Sequence, residues 1–479
     1  MRKSRSLKHA IDIKTAGLVL IAAAVSLSAR SYTIEKLLEV VVKNSRLLRT
    51  IELEIENADM VVQSTMSEAM PKVSSSVNIS HSNPYYPFTS VDQNSLNSSI
   101  KYVISDSLTG VLSPELTSDA GTLMRKSAVF LGDLMKAPSN TVSATLSVAQ
   151  PIYAQGKIYN GIKIAKAHQR TLLCKHYQEK MKIKADVAIL FYNSLLAQKN
   201  VEIATEGVSL ADETHRTAVV THAVGNASEL DTLISRLNLE NARIELKKAQ
   251  SALRVSYETL ITKTGIAESS ATFSVEGEFP PAIFEMTLEE VVNAMRKNNP
   301  NLEQLRGKSD IQNLRVEIAK GDFFPNVFAG AAVGKVGQFD GLDDFYKINW
   351  GNDSKIYLGL TWNLFTGLSR NHRLRQSLND RTMFQLAEQQ TIEDLDLQTR
   401  NAYEQVSISS DHLEVSKSVI SLAEKSYTIA KKAYEVGSKS LLDLQNAEFR
   451  LNQARIEMNT ALFKFHSAII NLKFLMGQL

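Results

Sequence analysis

The period of hydrophobic positions changes along the chain in an order that occurs twice. From residue 34 to 70 apolar side chains fall at helical spacing, with Leu37, Leu38 and Val41 followed by Ile51, Ile55 and Ala58, and Pro71 ends the run. The period then becomes two. Val73, Val77 and Ile79 alternate with Lys72, Ser74, Ser76 and Asn78, and Val142, Ala144, Leu146 and Val148 alternate with Thr141, Ser143, Thr145 and Ser147. In the second half Val327, Ala329, Ala331 and Val333 form one such run, and Ile356, Leu358, Leu360 and Trp362 the other. The alternation predicts strands over 72–80, 141–149, 326–336 and 354–363. At about 9–11 residues each, they have the length of a tilted strand that crosses a bilayer. On these runs alone a membrane strand and a half-buried hairpin of a soluble domain fit equally well.

Two long helices shift that balance. Lys157 to Ala223 and Ser369 to Glu435 are 67 residues each without proline, and the second also lacks glycine. Unbroken, each would extend on the order of 100 Å. Apolar positions advance by threes and fours, as in Ala402, Val406, Leu413, Ile420, Tyr427, Ala430 and Tyr434. This is coiled-coil spacing without a strict a/d repeat, and much of the seam is Ala, Ser and Thr. Each long helix meets a glycine turn, Val224-Gly225-Asn226 or Val436-Gly437-Ser438, and a second helix then ends near Gly265 or Gly477.

The two halves are copies of one unit. Thr33-Ile34-Glu35 with Lys43-Asn44 recurs 254 residues later as Thr287-Leu288-Glu289 with Lys297-Asn298, and the same offset carries Leu48, Pro71 and Val73 onto Leu302, Pro325 and Val327. Beyond the first strand the offset is 212. It relates Leu146 to Leu358, Gly225 to Gly437, Asp231 to Asp443, Ala242-Arg243-Ile244-Glu245 to Ala454-Arg455-Ile456-Glu457, and Gly265 to Gly477. The change of offset puts 42 extra residues between Val73 and Leu146. Repeat 1 is therefore assigned to 30–266, with its hairpin tip at 224–231, and repeat 2 to 286–479, with its tip at 436–443. Residues 267–285, with Gly277, Pro280 and Pro281, read as a connector.

Charge locates the chain in the cell. The formal net charge is +3, but residues 1–28 hold Arg2, Lys3, Arg5, Lys8 and Lys14 against Asp12, so the remainder is −1. That excludes a basic nucleic-acid binder. One cysteine excludes a disulfide framework or a CxxC site. Residues 1–29 read as an export signal: a basic start, then an uncharged, mostly apolar run from Thr15 to Ala29, short for a membrane helix, with a single-pass anchor as the alternative. No later run of 18 apolar residues occurs, so any membrane the mature chain spans must be crossed by strands.

Four amphipathic strands cannot close a barrel, and open edges are not tolerated in lipid. Membrane strands here require oligomerisation, and because an eight-stranded barrel is filled by its own side chains, a trimer is the smallest assembly with a passage. The segments Tyr434-x-x-Gly437-x5-Asp443-x3-Ala447, Val224-Gly225-x5-Asp231, Gln150-Pro151-Ile152-Tyr153 and Trp362-Asn363-Leu364-Phe365-x-Gly367 resemble the TolC-type outer-membrane efflux-duct family, over nearly all of the mature chain. The resemblance implies a homotrimer with a 12-stranded β-barrel in outer-membrane lipid. A long periplasmic α-helical coiled-coil barrel would continue it. Its hairpin tips would dock to a periplasmic adaptor and an inner-membrane transporter.

The resemblance also implies site residues. Asp443 matches an acidic position that rings the periplasmic constriction once per protomer, where three carboxylates would attract cations and repel anions. A second acidic position of some members is Asn446 here, which implies one carboxylate ring and weaker cation selectivity. Tyr434 and Asp231 match tip-closing contacts, with Lys439 at the place of a basic partner. The better-known pattern has Arg there, and lysine offers no bidentate fork. Gly225 and Gly437 read as left-handed turn residues at the tips, compatible with adaptor contact.

No chemistry of another kind is indicated. Cys174 reads as a packed side chain, and His215 and His222 lack a third ligand, so neither metal nor cofactor is expected. Gly330, Gly334 and Gly337 are not spaced as a nucleotide loop, and no catalytic motif occurs, so the chain is not expected to be an enzyme. Residues 81–140, rich in Ser, Asn and Thr, read as a long outward loop whose counterpart is 337–353. Two other functions remain to be weighed. A non-pore periplasmic coiled-coil adaptor would carry one hairpin between soluble β-domains, which the duplication opposes. A surface adhesin would need more exposed sequence than this loop provides.

Overall fold

The computed structural model describes residues 30–81, 122–124, 126–127, 140–225, 228–281, 283–339 and 348–479. The export segment 1–29 and most of the loop between His81 and Asn140 lie outside the described residues, as do residues 340–347. The elements in chain order are β1 (Arg30–Tyr32), α1 (Ile34–Asn44), α2 (Arg46–Ser67), β2 (Lys72–His81), β3 (Asn140–Ala154), α3 (Lys157–Ala223) and α4 (Glu229–Thr264). Then follow β4 (Phe273–Val275), α5 (Leu288–Asn298), α6 (Pro300–Gly321), β5 (Asn326–Phe339), β6 (Asn349–Thr361), α7 (Ser369–Glu435) and α8 (Leu441–Leu475). The sequence repeats and the spatial units do not coincide. One compact unit takes residues up to 62, 163–316 and 375–479, and the other takes 63–162 and 317–374, so each repeat contributes to both.

The smaller unit is built on an antiparallel sheet of order β2-β3-β5-β6. Its strands are longer than the alternation alone indicates. Strand β3 continues past Gln150 because the register shifts between Pro151 and Tyr153. Pro151 has no N–H to give the ladder, and a bulge absorbs it. Strand β5 extends to Phe339 and β6 begins at Asn349, carried through charged and glycine positions by pairs such as Lys335 with Asn352 and Gly337 with Trp350. Both strand exits into long helices use two consecutive left-handed residues: Gln155 (φ 56°) with Gly156 (φ 72°), and Gly367 (φ 59°) with Leu368 (φ 64°). The repeats thus place glycine at opposite positions of the same turn. Gln155 is held in that conformation by its side-chain amide, which donates to the Phe324 carbonyl at 2.7 Å.

The larger unit is mainly helical, and its two largest apolar cores are drawn chiefly one from each repeat. Leu37, Val41, Leu48, Val187, Phe191, Tyr257 and Leu260 form the first, and Val291, Ala402, Val406, Phe465, Ile469 and Leu472 the second. The repeat offsets superpose Leu37 on Val291, Tyr257 on Ile469 and Leu260 on Leu472, so the duplication is one of packing as well as sequence. On α7 the buried positions are Leu395, Thr399, Ala402, Val406, Ser409, Leu413 and Ser416. These alternate strictly by four and three, which corrects the looser spacing read from the sequence. That reading missed Thr399, Ser409 and Ser416 because they are polar. In the helix their hydroxyls donate to the carbonyls of Leu395, Gln405 and His412 at 2.6–2.8 Å, so they pack as small, satisfied side chains.

The connector is more ordered than its glycine and prolines indicate. Strand β4 pairs in parallel with β1, placing Phe273 and Val275 in the first core. Phe279 stacks on His466, whose ring also stacks on Tyr192 and bonds the Pro280 carbonyl, and burial lowers the pKa of that imidazole. Cys174 is half-buried, and burial raises its thiol pKa.

Candidate functional site

Two regions have the geometry of a working surface, one in each unit. In the sheet, cross-strand register aligns the apolar alternation of all four strands on one face. Val73 lies opposite Val148, Val148 opposite Ala331, and Ala331 opposite Ile356. Leu358 follows on the same side opposite Ala329, and Leu360 opposite Val327. This face is open: Ile356 is 91% exposed, Leu358 76% and Val77 73%. A buried side chain of this size stabilises by about 1.5–3 kcal/mol, so covering the face is worth on the order of 10 kcal/mol. The opposite face presents Ser74, Ser76, Thr145, Ser147 and Lys355, with Phe328 and Tyr357 in edge-to-face contact at 6.2 Å. Gly359 and Gly330 make room for those rings: a Cβ on either would lie 2.3–2.4 Å from ring atoms of Phe328 or Tyr357. Strands β2 and β6 are the free edges among the described residues. No described helix is long and apolar enough to cross a membrane.

At the hairpin tips the ends of α3 and α7 meet the starts of α4 and α8. Gly225 (φ 83°) and Gly437 (φ 73°) both take the left-handed conformation. Helix α7 closes by a bond from the Ser438 N–H to the Ala433 carbonyl at 2.8 Å, which lets the chain reverse. Both succeeding helices begin with the same capping box. Ser228 Oγ accepts from the Asp231 N–H at 3.1 Å, while Asp231 Oδ2 accepts from the Ser228 N–H at 3.0 Å and its hydroxyl at 2.8 Å. Ser440 and Asp443 repeat this at 3.2, 3.1 and 2.8 Å. Asp231 and Asp443 are therefore the N3 residues of two helix starts. The spacing Ser-x-x-Asp in the sequence carries that signal. The Ser440 donors, with the Lys439 charge, hold the Asp443 carboxyl below the usual range.

A cleft of about 760 Å³ lies at the tips, and Asp231, Tyr434, Gly437 and Lys439 line it together with Glu213, Tyr427 and Lys431. Burial, and then the Asp231 charge, raise the Tyr434 pKa, so the phenol stays a proton donor beside that carboxylate. Lys431 pairs with Glu213 at 3.8 Å. Four of the tip residues read from the sequence, Asp231, Tyr434, Gly437 and Lys439, thus share one cleft. Asp443 and Asn446 do not line it; both are exposed, one turn apart on α8. Gly225 is also outside it.

Sequence reading took Tyr427 only as a seam position and missed Glu213, Lys431 and Glu448. Burial pushes Glu448 up to about 7. It follows Leu444 by four residues and adjoins Ala447, both in the buried seam of α8, and that helical position was the available signal. His215 bonds Ser235 Oγ at 3.0 Å. No cluster of three metal-ligating side chains occurs among the described residues.

Comparison with known proteins agrees with this architecture. No curated protein is similar enough in sequence to match. Among solved structures the chain is similar to the CmeC outer membrane channel of Campylobacter jejuni, with 16% identity and a TM-score of 0.67 over 93% of this chain and 85% of that one. It is similar to the outer membrane protein VceC of Vibrio cholerae, with 13% identity and a TM-score of 0.70 over 93% and 96%. A third similar structure is the open state of the MtrE outer membrane channel of Neisseria gonorrhoeae, with 13% identity and a TM-score of 0.66 over 93% and 88%. These likenesses establish a fold of membrane strands joined to long helical hairpins. The outer membrane efflux protein family model matches residues 111–265 and 291–478, one segment in each repeat. The chain belongs to the outer membrane efflux protein family, a family of channels, and its place is the outer membrane.

Proposed function

We propose that three copies of the chain close a 12-stranded barrel, continued by a periplasmic helical tunnel, and that this homotrimer is the passive exit duct of a tripartite efflux or type I secretion system. The observation that carries the reading is the four-stranded sheet: one face is largely apolar and open, and both edges lack a partner among the described residues. Lipid covers the face and neighbouring copies cover the edges. Cargo, drugs or polypeptides, arrives from an inner-membrane transporter through a periplasmic adaptor that docks on the hairpin tips around Gly225 and Gly437. Tyr434, Lys439 and Asp231 hold the tips closed, and Asp443 supplies one carboxylate per copy to the constriction, with Asn446 one turn beyond it. The duct has no enzymatic activity. Residues 1–29 act as the export signal, 30–266 and 286–479 as the two repeats, and 267–285 as their connector.

The test is to extract the mature protein in detergent, determine its mass, and measure single-channel conductance in a planar bilayer. A trimeric mass with stable, small, cation-favouring conductance is expected. A monomer that stays soluble without detergent and forms no channel overturns the duct.

A further inference from the structure

Where β3 and β6 leave the sheet for the long helices, bulky side chains stand in the open. Ile152 is 61% exposed, Phe324 55%, Trp362 53%, Leu364 74% and Phe365 80%. Trp362 continues the alternation of Ile356, Leu358 and Leu360 and so extends the apolar face. Its indole N–H donates to the Phe323 carbonyl at 3.1 Å, which fixes the ring. Beside this layer three cations surround one aspartate, and two of them pair with its carboxylate. Lys157 Nζ lies 2.7 Å and the Arg373 guanidinium 3.2 Å from Asp322, whose side chain is 11% exposed. Arg370 covers the Phe323 ring at 5.2 Å and donates to the Leu364 carbonyl at 2.8 Å. Asp322 can neutralise only one of the three, so two positive charges remain per chain. Lys157 and Arg373 keep about half of their side-chain surface open.

We propose that this collar is a binding surface for anionic glycerophospholipid in the membrane leaflet at the helical end of the sheet, an inference that rests on the outer-membrane reading above. Trp362 and Phe365 occupy the depth of the glycerol esters, where amphipathic rings are favoured. Arg373 and Lys157 meet the phosphate, and Arg370, whose terminal nitrogens already donate to the Asp322 and Leu364 carbonyls, adds its charge beside them. Surface cations at a headgroup layer attract anionic lipid. Lipid is favoured over a second copy of the chain on two grounds. The patch is continuous with the apolar strand face, and a second copy brings the same positive excess to this level.

The chain has two tryptophans, so Trp350→Phe leaves Trp362 as the sole reporter. The full-length Trp350→Phe protein is reconstituted in vesicles containing either phosphatidylglycerol or phosphatidylcholine brominated near the ester end of the acyl chains. At equal mole fraction the brominated phosphatidylglycerol should quench Trp362 several-fold more strongly. Arg370→Gln with Arg373→Gln should bring the two lipids to equality while quenching by phosphatidylcholine persists. Lys157→Gln alone, which leaves Arg373 to neutralise Asp322, should reduce the preference and serves if the double variant does not fold. Equal quenching by both lipids in the parent overturns the anionic site. No quenching by either lipid, in a protein that still conducts in a planar bilayer, shows that a neighbouring copy covers the collar and leaves the duct standing. A protein that neither quenches nor conducts overturns the membrane reading and the inference with it.

Discussion

Asp443 caps a helix in the structure and is proposed to charge the constriction, two roles that the capping geometry separates. The carboxylate accepts the Ser440 N–H and hydroxyl, so it anchors the start of α8. It also carries the charge assigned to the constriction. Ser440→Ala removes a hydroxyl that accepts from the Asp443 N–H and donates to its carboxylate, with no change in charge. Loss of such a cap costs about 1 kcal/mol, which is roughly a five-fold increase in the open population of the first helical turn. Asp443→Asn removes the charge, but its amide oxygen can still accept from Ser440. Hydrogen exchange of peptides covering residues 438–446 reads the cap, and the reversal potential in a salt gradient reads the charge. Ser440→Ala should exchange about five-fold faster in the first turn with an unchanged reversal potential. Asp443→Asn should move the reversal potential toward zero with a smaller change in exchange. The Ser440 donors also hold the Asp443 pKa down, so cation preference in the wild type should survive to lower pH than in Ser440→Ala. The reasoning is refuted if Ser440→Ala shifts the reversal potential as far as Asp443→Asn, because local order and not charge then sets selectivity. An unchanged reversal potential in Asp443→Asn removes that residue from the conducting path.

Three further outcomes are expected. Glu448, raised from 4.5 to about 7 by burial, keeps a proton in the folded state that the unfolded chain releases, so stability falls as pH rises through that window. After allowance for solvent screening the effect is roughly 1–3 kcal/mol, and Glu448→Gln should flatten the dependence of the unfolding temperature on pH between those values; an unaltered slope assigns the effect to other groups. Leu368 sits at φ 64° where repeat 1 has a glycine. Leu368→Gly should therefore raise the unfolding temperature, by relief of about 1 kcal/mol of backbone strain, and a lowered temperature would give the leucine side chain a packing role. Gly359→Val places a Cβ 2.3 Å from the Phe328 ring. It should lower that temperature markedly and recover with Phe328→Ala, and failure of the second change to restore it would mean that the ring does not depend on this notch.

The sequence by itself determined the order of elements and their duplication. A strand alternates and a helix advances by threes and fours whatever surrounds them, so Val73 to Ile79 or Ile356 to Trp362 announce strands locally. Two copies diverged from one unit keep the same punctuation, and Gly225 and Gly437 mark turns because a left-handed residue without Cβ carries no steric penalty. The Ser-x-x-Asp caps are equally local, because each bond joins residues three apart in the chain. Tertiary structure decided what depends on neighbours distant in the chain. Strand β3 passes Pro151 only because β5 offers a bulged register. The connector becomes a strand only because β1, more than two hundred residues earlier, is there to pair with it. The seam of α7 is a strict heptad only once Thr399, Ser409 and Ser416 are seen to turn their hydroxyls onto their own helix. The cleft of Asp231, Tyr434 and Lys439, the raised pKa of Glu448 and the shared carboxylate of Asp322 arise in the same way. Burial and charge at a point are sums over whatever segments the fold brings there, and no window of the sequence contains that sum.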